Sequence, residues 1–305
     1  MPDSMMVFDR KAVRRHRDRA SATLSTADFL FREAAVRVAD RLNDVTRRFG
    51  LGLNVGCRHG ELVQELGAAS KVDHLLQCDF SPRMAMKAAA TAPTFAADEE
   101  FLPIAEQSLD LVISNLSLHW VNDLPGAMVQ LRRALRPDGL FLATLFGGET
   151  LKELRACLIE AESQITGGAS PRVSPFVDVR DAGGLLNRAG FALPVVDADA
   201  ITVTYADPLR LLADLRAMGE TNAVHERSKR FLRRDVLGRA LQLYMDRFAD
   251  ARGRAVATFQ IVTLTGWAPH TSQQQALRPG SAKARLADAL TTTEIALDEK
   301  APKPT

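Results

Sequence analysis

The stretch LGLNVGCRHGELVQELG, from Leu51 to Gly67, joins a short apolar run to a helical pattern through two glycines, Gly56 and Gly60. Glycines at such a turn let backbone amides approach a ligand, and a helix starting near Glu61 offers its positive end to a carboxylate. Arg58 and His59 stand where a further glycine would complete a nucleoside-binding loop. About twenty positions on, HLLQCDF ends with Asp79 and Phe80, and Asp79 is placed to accept two hydrogen bonds from ribose hydroxyls. ADEEFLPI then sets Asp98 and Glu99 before an apolar segment able to flank an adenine ring, and SNLSLHW carries Asn115, His119 and Trp120. Singly these features are commonplace, because a glycine pair makes a turn and an aspartate after a strand caps a helix. Their order is the informative part.

Each feature follows an apolar run. LGLNVG, HLLQCDF, a weaker PTFAAD, LDLVISNL and GLFLATLF read as strands, separated by helical segments from Glu61, Pro82 and Leu124. Repeated βα units predict an α/β protein with a doubly wound parallel sheet, helices on both faces, and ligands beyond the carboxyl ends of the strands. Residues 28–49 read as an amphipathic entry helix with Phe29, Phe31, Val36, Val38 and Leu42 among charged positions. After Phe146 a helix from Thr150 reads as an insertion. A second helix then runs into the strand pair ALPVVDADAITVTY and AVATFQIVTLTGWAP, interrupted by a mainly helical excursion over 208–250. Beyond Pro269 no core pattern is sustained, and a partly disordered tail is expected.

Composition narrows the class. Of 305 residues, 46% are hydrophobic and 25% charged, and the net charge of +2 is too small for a general nucleic-acid binder. Basic charge gathers in FDRKAVRRHRDRAS, interrupted by Asp9 and Asp18. A transit peptide would be poor in acids, so this segment reads as a solvated helix face, with a surface for a protein partner or acidic lipid as the alternative. No run of eighteen apolar residues and no signal-peptide pattern occurs, which makes the cytoplasm the expected location. Cys57, Cys78 and Cys157 lack a CxxC spacing and read as small hydrophobes.

The series LNVGCRHG, CDFSPRM, ADEEFLPI and LDLVISNLSLHWVNDLPGAMVQLRRALRPDGLFLATLFGG resembles class I S-adenosylmethionine-dependent methyltransferases, with a Rossmann-like fold, over residues 50–147. The more particular segments FDRKAVRRHRDRAS, SLHWVNDLPGA, FGGETLKELR, ASPRVSPF and TFQIVTLTGW are similar to bacterial relatives of mitochondrial complex I assembly factor five, over nearly residues 7–268. That resemblance implies an N-terminal helical extension over 1–49, a methyltransferase-like domain over 50–269 with insertions at about 149–168 and 208–250, and a tail over 270–305. It also implies hydroxylation of an arginine on the iron–sulfur subunit of complex I, next to the quinone site. The work would be done in the bacterial cytoplasm, in peripheral association with the membrane-bound assembly intermediate at the inner face of the inner membrane, or in the mitochondrial matrix of a eukaryote. The malonyl-carrier-protein O-methyltransferases share the core but fit the later segments less well, and a non-catalytic assembly chaperone is a third reading.

By the same resemblance the opening loop would read DVGCGxG, so Asn54 replaces an acid and Arg58 a glycine. Asn54 still accepts a hydrogen bond but lacks the charge suited to an ammonium group. The Arg58 side chain is expected to point to solvent. Asn54, Gly56, Cys57, Gly60, Asp79, Phe80, Asp98, Glu99 and Asn115 are then the expected residues for S-adenosylmethionine. His119 and Trp120 are expected at the substrate, with Trp120 able to stack on a guanidinium plane. Glu149 and Glu220, with Glu153, are the carboxylates expected to hold that guanidinium. His59 and Glu61 form a His-x-Glu pair inside the loop, but no third ligand is identifiable for an iron site, and no metal is expected.

Overall fold

Asp9 opens the first helix by accepting a hydrogen bond from the Ala12 N–H. That helix, α1 (Arg10–Ala20), buries Ala12, Val13, Arg17 and Ala20 along one side. A 3-10 turn at Leu24–Thr26 leads to α2 (Phe29–Asp44). The computed structural model describes residues 6–67, 70–274, 281 and 285–293. The entry helix ends at Asp44, short of the expected 49, because Val45 turns to extended backbone and the Lys71 ammonium takes the carbonyls of Asn43 and Val45. Phe29 and Val36, expected among its apolar positions, are exposed.

The chain continues through β1 (Phe49–Val55), α3 (Glu61–Leu66), β2 (Val72–Asp79), α4 (Pro82–Ala88), β3 (Thr94–Ala96) and β4 (Leu109–Asn115). After a 3-10 turn at Leu118–Trp120 come α5 (Leu124–Ala134), β5 (Leu135–Phe146), α6 (Lys152–Thr166) and α7 (Val179–Ala189). β6 (Ala192–Tyr205), α8 (Pro208–Met218), α9 (Arg234–Phe248) and β7 (Ala255–Trp267) complete this unit. The seven strands lie in the order β3-β2-β1-β4-β5-β7-β6. The expected parallel sheet holds for β1 to β5, whereas β7 runs antiparallel to both β5 and β6, so the sheet is mixed.

This order reverses direction between β1 and β4, which sets the carboxyl ends of β1, β2 and β4 side by side. Every residue of β4 is buried, as a central strand covered on both faces requires. The helix expected from Thr150 begins at Lys152, after a turn in which Leu151 takes a positive φ of 55°. Leu154, Cys157 and Leu158 of α6 share one core with Val236, Leu243 and Tyr244 of α9, so the two insertions pack together. Residues 271–305 form a second unit, in which the short helix α10 (Leu286–Ala289) is described. Most of the expected disordered tail lies outside the described residues.

Candidate functional site

Arg58, expected in solvent, is 2% exposed. Its backbone takes a positive φ of 49°, strained for a residue with a side chain, and its N–H donates to Asp79 Oδ2 at 3.0 Å. The side chain runs inward to the end of β4. There the guanidinium donates to the carbonyls of Asn115 (3.0 Å) and Leu116 (2.5 Å) and to Glu220 Oε1 (2.7 Å), and lies 3.8 Å from the centre of the Phe31 ring. Leu116 also has a positive φ, 49°, so Arg58 joins two strained strand ends.

Glu220 reaches this place through a helix cap. Gly219 follows α8 with φ 82°, and the Gly219 and Glu220 N–H groups return to the carbonyls of Arg216 and Leu215, a left-handed stop that aims the next side chain at the sheet. Glu220 Oε2 accepts from Trp120 Nε1 at 2.8 Å and lies 3.1 Å from His119 Nε2. Burial pushes its carboxyl up, but His119, Arg58 and Arg17 outweigh that and hold it at about 2. His119 moves down, chiefly by burial and against the pull of Glu220. The ring is therefore neutral near pH 7, donating from Nε2 and leaving Nδ1 a buried lone pair without a partner among the described residues. Trp120 meets Phe8 edge-on, while the chain's own Arg58 and Arg10 guanidiniums stack on Phe31 and on Phe80, the latter at 4.2 Å.

The larger correction concerns α1, expected to present a solvated basic face or a partner surface. Arg17 is buried among carboxylates: 2.7 Å from Glu99 Oε1, 3.6 Å from Asp79 Oδ1, and donating to Ser117 Oγ at 2.8 Å. Arg10 reaches Asp98 at 2.5 Å and Glu99 at 2.6 Å. Glu99 would be pushed up by its burial, yet Arg17 and Arg10 hold it at about 2. Lys11, Arg14, Arg15 and Arg19 keep the expected exposure. The N-terminal segment is also stitched to the loop bearing Glu220, since Phe8 bridges Val224, Asp9 N–H donates to Ala223 O, and Arg227 pairs with Asp9.

The opening loop satisfies its own donors. Gly56 and Cys57 N–H both donate to Cys78 O, Gly60 N–H to Cys57 O, and His59 N–H to Glu61 Oε2. Glu61, the first residue of α3, thus takes the N–H just ahead of the helix end expected to receive a ligand carboxylate. Gly56 (φ 75°) and Gly60 (φ 84°) are still required, because a Cβ would come within 2.0 Å of Ser117 Oγ and 2.3 Å of Thr91 Oγ1. Asp79 accepts from Ser81 N–H as well as from Arg58 N–H, with the Arg17 charge 3.6 Å away. Asn54 is fully buried; its Nδ2 donates to Gln77 at 3.4 Å and its Oδ1 has no partner among the described residues. Asn115 donates to Phe31 O and accepts from Thr144, tying α2 to the sheet. Cys57, Cys78 and Cys157 are free and buried.

Glu149 is not in this cluster: its side chain is 60% exposed and pairs with Lys152 at 3.0 Å. Glu153 accepts from the Thr258 hydroxyl on β7 and is structural. Among the described residues no group of three His, Cys, Asp or Glu side chains is placed to hold a metal, and no helix is long and apolar enough to cross a membrane. Glu220 lines a cavity of about 490 Å³, and His119 lines another of about 170 Å³.

Residues 53–143 match the family model described as a methyltransferase domain. A putative methyltransferase from Bacillus halodurans has the same fold, with a TM-score of 0.54 at 12% identity over 77% of this chain and 99% of that one. The malonyl-[acyl-carrier protein] O-methyltransferase of a Methylovorus strain is 34% identical over 86% of this chain and 90% of its own length. Similarity is higher to the mitochondrial arginine-hydroxylase NDUFAF5 of Danio rerio, 43% identical over 93% of this chain and 89% of the relative. On a class I methyltransferase fold, with its arginine-filled strand ends, the chain belongs to the NDUFAF5 arginine-hydroxylase family.

Proposed function

We propose that the protein binds S-adenosylmethionine and hydroxylates an arginine of the iron–sulfur subunit of respiratory complex I, beside the quinone site, during assembly of the complex. The observation that carries this reading is the 43% identity to an arginine hydroxylase across nearly the whole chain.

The strand ends fit the cofactor in kind. The turn through Gly56 and Gly60 has no room for side chains, Asp79 ends β2 with acceptor capacity for ribose hydroxyls, and Asn54 Oδ1 is a buried acceptor without a partner. Arg17 lies 3.6 Å from the same Asp79 carboxylate, so ribose hydroxyls bonded there would share it with that guanidinium. When bound, the cofactor would supply a sulfonium methyl group for transfer to a nucleophile, the chemistry of the methylation reading; hydroxylation replaces an arginine C–H by C–OH and takes in addition an oxygen donor that accepts two electrons.

The chain's own residues prepare the substrate side. Glu220 stays ionised and accepts from Arg58, His119 and Trp120, which leaves one carboxylate acceptor direction beside the cavity it lines. An incoming guanidinium meets that acceptor, while the neutral His119 keeps Glu220 oriented. A second reading, O-methylation of a carrier protein or small molecule, draws on the 34% identity to the Methylovorus enzyme.

Intact-mass analysis of the iron–sulfur subunit from cells with and without this protein separates the readings. A gain of one oxygen that depends on the protein is expected. A gain of one methyl moves the assignment to O-methyltransferase chemistry, and an unchanged subunit whose assembly still needs the protein makes it a chaperone.

A further inference from the structure

The cavity lined by Glu220 is apolar within and cationic at its mouth. Leu154, Leu158, Leu212, Leu215 and Phe176 form walls, and its volume of about 490 Å³ is in the range of ligand-binding clefts. Five arginines line it. Arg172 is paired with Glu162 and Arg227 with Asp9, but Arg19, Arg216 and Arg230 form no ion pair among the described residues. Arg19 donates to the Thr221 hydroxyl, and its pKa is lowered by burial and by the proximity of Arg216. Three unneutralised guanidiniums around one opening create a field that attracts anions and repels a bare cationic side chain. Beside Arg230 stands Phe231, wholly exposed and lining the same cavity. An isolated aromatic among arginines is the composition of protein-binding surfaces, in which an aromatic anchors and the charges select.

We propose that this cavity and its Arg19–Arg216–Arg230 rim dock an acidic, leucine-like segment of the protein substrate that flanks the arginine to be modified. The inference rests on the function proposed above and adds a substrate rule: the target arginine lies beside carboxylates and apolar side chains. Carboxylates meet the rim, apolar side chains fill the walls, and the arginine extends to Glu220 at the inner lining. Phe231 covers the docked segment from outside.

The test uses the full chain, with Arg216→Glu and Arg230→Glu combined, and separately Phe231→Ala. All three positions are exposed, so melting temperature should be unchanged. The first probe is a labelled peptide of alternating glutamate and leucine, followed by fluorescence anisotropy at low and physiological salt. Wild type should bind with affinity that falls as salt rises, the double reversal should weaken binding roughly tenfold, and Phe231→Ala should weaken it without altering the salt slope. In cells, the double variant should modify the iron–sulfur subunit poorly. Equal peptide affinity for wild type and double variant overturns the proposal. So does saturation by dodecanoate where the peptide fails to bind, which makes the occupant a lipid. If wild type adds no oxygen to the subunit while the peptide results hold, the function assignment fails and the docking surface stands.

Discussion

Arg17→Met removes a guanidinium that touches two carboxylates, Glu99 and Asp79, each fully buried. Breaking a buried ion pair by deleting one partner costs about 3–5 kcal/mol. Glu99 keeps Arg10 at 2.6 Å, so the lower end, about 3 kcal/mol, is expected. Against its burial, Arg17 and then Arg10 hold Glu99 at about 2 rather than an ordinary 4.5, a net depression equivalent to roughly 3 kcal/mol that the two guanidiniums share. Because the folded-state value is the lower one, this stabilisation is complete above the unfolded value of 4.5 and is lost as pH falls toward 2. The cost of Arg17→Met should therefore shrink with acid, to about 1 kcal/mol near pH 3, because the lost charge partner matters less as Glu99 protonates. Urea unfolding of both proteins at steps between pH 7 and pH 3 measures it. A penalty that is the same at both ends, or that stays under about 1 kcal/mol at pH 7, would refute the account of α1 as a buried counter-charge.

Arg58→Gly, with or without Asn54→Asp, restores the glycine expected of the loop but strips Glu220 of its guanidinium and Phe31 of its stacked partner. A loss of about 3–5 kcal/mol in urea unfolding is expected, and an unaltered midpoint would mean the buried arginine is dispensable. Asp79→Asn removes the charge and, because its amide nitrogen cannot accept, one of the two bonds from the Arg58 and Ser81 N–H groups; it should weaken S-adenosylmethionine binding by about 1–3 kcal/mol in calorimetry. Unchanged affinity takes Asp79 out of the cofactor site. His16 is lowered to about 4, first by burial and then by Arg19, so the unfolded chain binds the extra proton between that value and 6.5, and stability rises with pH across this window. His16→Gln should flatten that rise, and a slope identical to wild type would assign it to other groups.

The sheet and its ligand-binding edge were legible because each apolar run is short, bounded, and followed by a polar residue at its carboxyl end; Asp79, Glu99 and Asn115 sit at the adjoining ends the strand order implies. What periodicity could not supply was the direction of β7, since a strand pair reads the same whichever neighbour it joins. The arginines escape a compositional reading for a different reason. Composition marks Arg10 and Arg17 as solvated, whereas their spacing with Val13 and Ala20 repeats every three or four residues and places all four on one helix face. Val13 and Ala20 must be buried, so the two arginines go inward with them, and a buried guanidinium is tolerable only against carboxylates. The sequence contains those carboxylates in ADEE and CDF, far from α1 along the chain. Arg58 follows the same logic: a side chain at a glycine position in a buried turn has no route to water, and its charge requires a partner that only the distant Glu220 provides. Cation and anion that meet from distant parts of the chain, 82 residues apart for Arg17 and Glu99 and 162 for Arg58 and Glu220, leave no local pattern, so the signal for this site lies in matching unpaired buried charges across the chain.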